Sequence, residues 1–403
     1  MKKKSISRSA ETEFLSLTEI AFFLIFPGFF IYHFLIGKEY ITSFLGGYST
    51  SIAVILAPFM LVIYCRTIIN NRKNFLFIDF LFLIFLAYFI AITVINLLIG
   101  TDVTIANTLL ATVPQFLVLF IVVKLIDPGR PVFKNCLIGF YILLTLLIFF
   151  NVQDGQFVAA NLNVQSTEDR LADYQSFAFV YIVIALYVVT NLQSSISRFL
   201  VYLTAMFALF LNGARSEFAG FCLCIPIVEF CFSRHKSLFF IFGLTALLIG
   251  VSSTAFIVEM LPENRVLMIL KEYRGDDSVI ERENLLRVAL DTIYNNPFFG
   301  SFASYRPGEY AHNIISAWVD LGLLGFFIYV ILLVVPAANM VFIFNKFSKD
   351  SDYILALCFL FLIVFLVILA KHFTYQMLPV ALAAYARVVT TGRSLAYRSV
   401  VRA

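Results

Sequence analysis

Apolar runs long enough to cross a bilayer recur along almost the whole chain, and this repetition constrains the fold more than any single motif. They lie near residues 14–36, 50–65, 75–99, 104–124, 135–152, 174–192, 199–213, 217–232, 238–258, 313–341, 352–370 and 376–392, separated by charged or Gly/Pro-containing connectors. A hydrocarbon core about 30 Å thick is crossed by roughly 20 apolar residues of helix. Inside lipid every backbone polar group must be satisfied within the protein, so runs of this kind are helices. The expectation is an all-α integral membrane protein with about 12 transmembrane helices. Composition agrees: 61% of residues are hydrophobic and only 13% charged, and mean hydropathy is +0.92, outside the range of a soluble domain. The 47 Phe are apolar filler of the kind lipid-facing helices use.

Loop charge sets the expected orientation, because short cytoplasmic loops hold the excess Lys and Arg. With the N-terminus inside, about 18 bases fall on the cytoplasmic side, against Lys38, Arg170, Arg215 and Lys371 in the short outer loops. The start Met1-Lys2-Lys3-Lys4 with Arg8 reads as a cytoplasmic tail and not a removable signal peptide. Both termini are then cytoplasmic: a tail over 1–13, nine helices over 14–258, a long outer loop over 259–312, three helices over 313–392 and a tail over 393–403. The six Cys all sit in or at the ends of predicted helices, so no disulfide framework is expected. The four His form no HExxH or HxxxH pair, and neither metal nor cofactor is expected; nor is a nucleic-acid partner.

On the outer side three polar constellations stand out. Asn212-Gly213-Ala214-Arg215-Ser216-Glu217 is a tight turn between helices that holds Arg215 at the water–lipid boundary with Glu217 near enough to orient it; a boundary Arg that merely snorkels is the alternative. In the long loop, residues 278–290 carry apolar positions at helical spacing before the stop at Asn295-Asn296-Pro297. Arg282 and Arg287 on that helix are about 140° apart, so they cannot both face one ligand, and one is expected to be solvated or ion-paired. Last, His312-Asn313 stands where the loop enters a new apolar helix. Histidine has the unperturbed pKa nearest neutrality and suits proton transfer there.

Three elements in this order resemble the O-antigen ligase and O-antigen polymerase family of bacterial membrane glycosyltransferases. They are the turn Ala214-Arg215-Ser216, the stretch from Arg282 to Pro297-Phe298-Phe299-Gly300, and His312-Asn313 followed by Gly322-Leu323-Leu324-Gly325. The similarity covers roughly 198–342. Leu286 stands where an aromatic is usual and Asp320 where Glu is common, which leaves the subfamily open.

The resemblance implies metal-independent, inverting transfer of a glycan from undecaprenyl pyrophosphate to a sugar hydroxyl at the periplasmic face of the inner membrane. Arg215 and Arg282 would stabilise the pyrophosphate leaving group in place of a metal ion, since a guanidinium offers a permanent, bidentate charge to phosphate oxygens. His312 would take the acceptor proton, assisted by Asn313 or Glu309. Arg170, Arg265, Arg274 and Arg287, with Glu217, are further candidates for binding substrate. A polymerase uses another lipid-linked glycan as acceptor, a ligase the lipid A core. From Glu259 to His312 six bases face nine acids, and an acidic loop repels a phosphate-rich core, so polymerisation of O-antigen or exopolysaccharide repeats is the favoured expectation. A chain-length regulator is an expected partner on the same resemblance. A transporter or flippase would show midmembrane ionisable pairs and an internal repeat; Glu19, Asp79, Glu229, Asp320 and Arg387 show no clear pairing in the sequence, and no repeat is found. Lys371-His372 ends the eleventh helix on the outer face, with His372 expected only in a supporting place.

Overall fold

The structure is a computed structural model and describes residues 14–101, 103–158, 173–233, 277–306 and 309–401. Helices α1 (Leu17–Gly37), α2 (Ser49–Asn70), α3 (Phe77–Ile99), α4 (Val103–Leu125) and α5 (Pro131–Phe149) are followed by α6 (Tyr174–Asn191), α7 (Ser195–Asn212) and α8 (Arg215–Phe232). After these come α9 (Asp277–Asn295), α10 (Ser316–Phe347), α11 (Ser351–Leu369) and α12 (Met377–Val401). Among the described residues nine helices are long and apolar enough to cross a membrane; α8 is outside that set, and α12 contributes a shorter apolar stretch, Met377–Gly392. The run at 238–258 lies outside the described residues.

Three features of these helices depart from the sequence expectation. The fifth helix stops at Phe149, and the chain turns through a hairpin that pairs Val152 with Phe157. Asp154 and Gly155 at its tip both have positive φ, the geometry Asp-Gly favours in a two-residue turn. Helix α1 carries a π-helical turn at Leu24–Gly28 around Pro27, which has no N–H to donate to an α-helical bond. The Tyr48 hydroxyl donates to the Leu24 carbonyl there at 2.9 Å. Helix α12 continues to Val401, so most of the expected C-terminal tail is helical.

Helices α6, α11 and α12 form the centre. From Phe177 to Thr190 every residue of α6 is buried, as a helix that is apolar on all sides should be. Ala381, Ala383, Ala384 and Ala386 of α12 are fully buried, and small side chains of this kind let α4 and α11 approach closely.

The acids that seemed unpaired in the sequence each have a base in the fold, which corrects that reading. Glu19 meets Arg130 at 2.7 Å and Asp79 meets Lys124 at 2.6 Å. Glu229 is held by Arg198 through two bonds of 2.6 and 2.9 Å, and Asp352 lies 3.2 Å from Arg387. Glu19, Asp79, Arg198 and Asp352 fall in the first turns of α1, α3, α7 and α11, and Lys124 and Glu229 in the last turns of α4 and α8. These pairs therefore gather at one end of the bundle. The other end, where α8, α10 and α12 begin, carries the candidate site.

Candidate active site

The frame of the site is a backbone-to-backbone contact between a turn and a broken helix. Pro297-Phe298-Phe299-Gly300 follows α9, and α10 departs from helical geometry at Gly322, φ 68°. Gly300 also has positive φ, 67°. A Cβ on Gly300 would overlap the Val319 and Trp318 carbonyl oxygens, and one on Gly322 would overlap the Phe298 carbonyl. Only glycine allows both the torsions and the approach. Across the contact Ser301 N–H donates to Val319 O at 2.6 Å and Leu323 N–H to Phe298 O at 3.1 Å. Trp318 Nε1–H donates to Pro297 O at 2.7 Å, and the Tyr88 hydroxyl of α3 supplies the Leu321 carbonyl at 2.8 Å.

This frame fixes Asp320, which is fully buried. Its carboxylate accepts from Ala303 N–H at 3.0 Å and from the Tyr305 hydroxyl at 2.9 Å, and it lies 3.1 Å from His372 Nε2. The other ring nitrogen of His372 is 2.8 Å from Thr374 Oγ1. Burial and the Asp320 charge push the Tyr305 phenol far up, so it stays a donor.

A second buried carboxylate opens α8. Glu217 pairs with Lys371 at 2.5 Å and accepts from Ser216 Oγ at 2.8 Å and from the Tyr375 hydroxyl at 3.3 Å. Lys371 also donates to Gln175 Oε1 and lies 5.0 Å above the Tyr375 ring. Glu217 is thus paired with Lys371, 154 positions away in the chain. Arg215 itself is the first residue of α8, half-buried, two positions before Glu217.

His312 stands above these groups. The Tyr310 ring lies between the two imidazoles, 4.6 Å from His312 and 4.7 Å from His372. Burial first, then the positive charge of Arg282, His372 and Lys371, lowers the His312 pKa to about 4. Burial raises the Tyr310 phenol, with Asp173 adding to the shift and Arg282 opposing it. Arg282 is exposed on α9, and its charge is among those that act on His312 and Tyr310. That helix docks on α10 through Ala289, Val319 and Ala311.

Of the other expected residues, Asn313 is a turn residue: its side-chain oxygen accepts from Ile315 N–H at 3.0 Å and its carbonyl from Ser316 Oγ at 2.7 Å. Asn313 and the residues to Ile315 precede α10, so His312 sits in the loop before the helix and does not open it. Glu309 and Arg287 are exposed, and among the described residues no hydrogen bond joins Glu309 to His312. Arg170, Arg265 and Arg274 lie outside the described residues. Sequence reasoning missed Asp320, Tyr305, Tyr310, Gln175 and Lys371 as members of the cluster. The one available signal was Lys371-His372, a charged dipeptide in a short connector on the same face as Arg215.

The assembled cluster brings the basic side chains Arg215, Arg282 and Lys371 to one end of the bundle with His312. Such a set can bind a polyanion and accept a proton next to it. Comparison with known protein families and with curated proteins found no match to this chain.

Proposed function

We propose that the protein is a multi-pass glycosyltransferase that moves a glycan from undecaprenyl pyrophosphate to a sugar hydroxyl without a metal ion, polymerising O-antigen or exopolysaccharide repeat units. The observation that carries the reading is the gathering of His312, His372 and Lys371 where α8, α10 and α12 begin, with the Tyr310 ring 4.6 Å from one imidazole and 4.7 Å from the other and Lys371 paired with Glu217. In the proposed step the acceptor hydroxyl oxygen attacks the anomeric carbon and the C–O bond to pyrophosphate breaks. Its electron pair leaves with the phosphate oxygen, and the hydroxyl proton passes to His312. A single displacement inverts the anomeric centre.

The lowered pKa of His312 fits this order. Without substrate the imidazole is neutral and ready to accept a proton. A bound pyrophosphate sets negative charge beside it and raises its basicity, because an opposite charge favours the protonated form. Arg215 and Arg282 would hold the phosphate oxygens, and the developing charge of the leaving group is where fixed cations lower the barrier. Lys371 is tied to Glu217, and Asp320 to His372, so these pairs position the cluster.

The proposal keeps twelve spans in a bacterial inner membrane, both termini cytoplasmic and the site periplasmic. Helix α8 ends opposite the site and α9 starts beside it, so the apolar run near 238–258 is counted as the ninth span. The test is the surface polysaccharide of a deletion strain complemented with wild type, His312→Ala or Arg215→Ala at matched membrane levels. Core bearing a single repeat unit in the deletion and in both variants supports the polymerase. Core without any repeat, with long polymer stranded on the carrier lipid, would make the protein a ligase. A normal profile in the variants would remove the catalytic reading.

A further inference from the structure

Beside the cationic cluster a cavity of about 440 Å³ lies between α1, α2, α4, α6 and the start of α12. That volume falls within the range of small-molecule sites. Its polar lining includes His33, Ser49, Gln115, Asp173, Ser176 and Gln376, and among the described residues no Lys or Arg lines it. Phe29, Tyr48 and Phe179 supply aromatic walls. Gln115 ties two of the walls together, donating to Thr50 Oγ1 at 2.7 Å and accepting from Gln376.

The cavity and the cluster share two helix starts. Asp173 and Gln376 line the cavity, while Gln175 and Tyr375, their near neighbours in the chain, bind Lys371 and Glu217 in the cluster. The Asp173 charge also reaches Tyr310. The two spaces thus adjoin at these helix starts. Their chemistries are opposite. A space with one carboxylate, two carboxamides, one imidazole, hydroxyls and, among the described residues, no Lys or Arg disfavours phosphate. It offers acceptors and donors to hydroxyl groups and aromatic faces to C–H surfaces, the pairing that a sugar ring needs.

We propose that this cavity is a saccharide subsite that holds sugar units of the transferred or accepting glycan, while the cations outside it hold the pyrophosphate. The proposal relies on the transferase reading for what the sugars are doing there; the binding itself is measurable without turnover. The probes are the repeat-unit oligosaccharide released by mild acid from the host's own surface polysaccharide, and inorganic pyrophosphate. Each is added to the full-length protein in lipid nanodiscs and followed by saturation-transfer NMR and phosphorus NMR respectively.

Wild type is expected to bind both. Ala53→Phe, which fills the cavity from α2, and Gln115→Leu, which keeps the volume and removes the hydrogen bonds, are expected to weaken saccharide binding at least tenfold with pyrophosphate binding unchanged. Retained pyrophosphate binding also reports that each variant is folded, and if Ala53→Phe fails this check Gln115→Leu carries the test. Arg215→Ala should show the reverse pattern. No saccharide signal with wild type, or equal signal with the folded cavity variants, would overturn the subsite. A fully active His312→Ala beside cavity variants that lose the saccharide would overturn the transferase reading and leave the subsite standing.

Discussion

Burial and neighbouring cations keep the His312 imidazole neutral down to about pH 4, and a first prediction, on pH dependence, follows at the scale of single residues. In kcat/KM, which reports the free enzyme, the acid limb due to His312 should lie near pH 4, well below an ordinary histidine. Arg282→Ala removes a positive neighbour, so the imidazole becomes easier to protonate and the limb moves to higher pH, besides any loss of rate; a pH–rate profile of the two proteins checks this. The linked stability has a definite sign. Between the ordinary value of 6.5 and about 4 the unfolded chain binds the proton and the folded one does not, so His312 costs stability as pH falls through that window. Replacing His312 by Ala should lower the transfer rate by roughly two to four powers of ten. The second prediction concerns Glu217 and Lys371, both nearly inaccessible. Lys371→Met leaves a buried carboxylate uncompensated and should cost about 3–5 kcal/mol. The double variant Glu217→Gln, Lys371→Met should recover most of it in thermal unfolding measured in detergent.

At the scale of elements, the contact between Gly300 and Gly322 decides where α9, the turn after it and α10 sit. Gly322→Ala puts a Cβ into the Phe298 carbonyl at a positive φ and should undock the turn, abolishing polymer formation with His312 intact. Trp318, the only Trp in the chain, hydrogen-bonds Pro297 across this contact, so its fluorescence should shift in Gly322→Ala and stay unchanged in Arg287→Ala, whose side chain is exposed. The helices were legible in the sequence because lipid demands long apolar runs, and the amphipathic helix at α9 because its spacing is local. The break at Gly322 was not, since it lies inside a long apolar run and is required by the Phe298 backbone 24 positions earlier. The same holds for Asn313, whose short amide was read as chemistry and closes a local turn.

For the whole molecule, the two ends differ in how their charges are used. At the end opposite the site Glu19, Asp79, Glu229 and Asp352 are each paired with a base, which secures the bundle; at the site end Glu217 pairs with Lys371 and Asp320 with His372, which positions the cluster. Sequence reasoning placed Arg215, Arg282 and His312 on one face because alternating spans leave little choice. It could not choose Lys371 for Glu217 or His372 for Asp320, because partner choice between distant helices is made by packing. The account expects transfer to need no divalent ion, so a chelator should leave the rate unchanged. The decisive measurement uses purified protein in nanodiscs given lipid-linked repeat units, with wild type and His312→Ala compared in the presence of chelator. The account predicts elongated glycan and release of one undecaprenyl pyrophosphate per unit added by wild type, and a loss of at least about a hundredfold in the variant. No elongation by wild type, or equal elongation by His312→Ala, would contradict it.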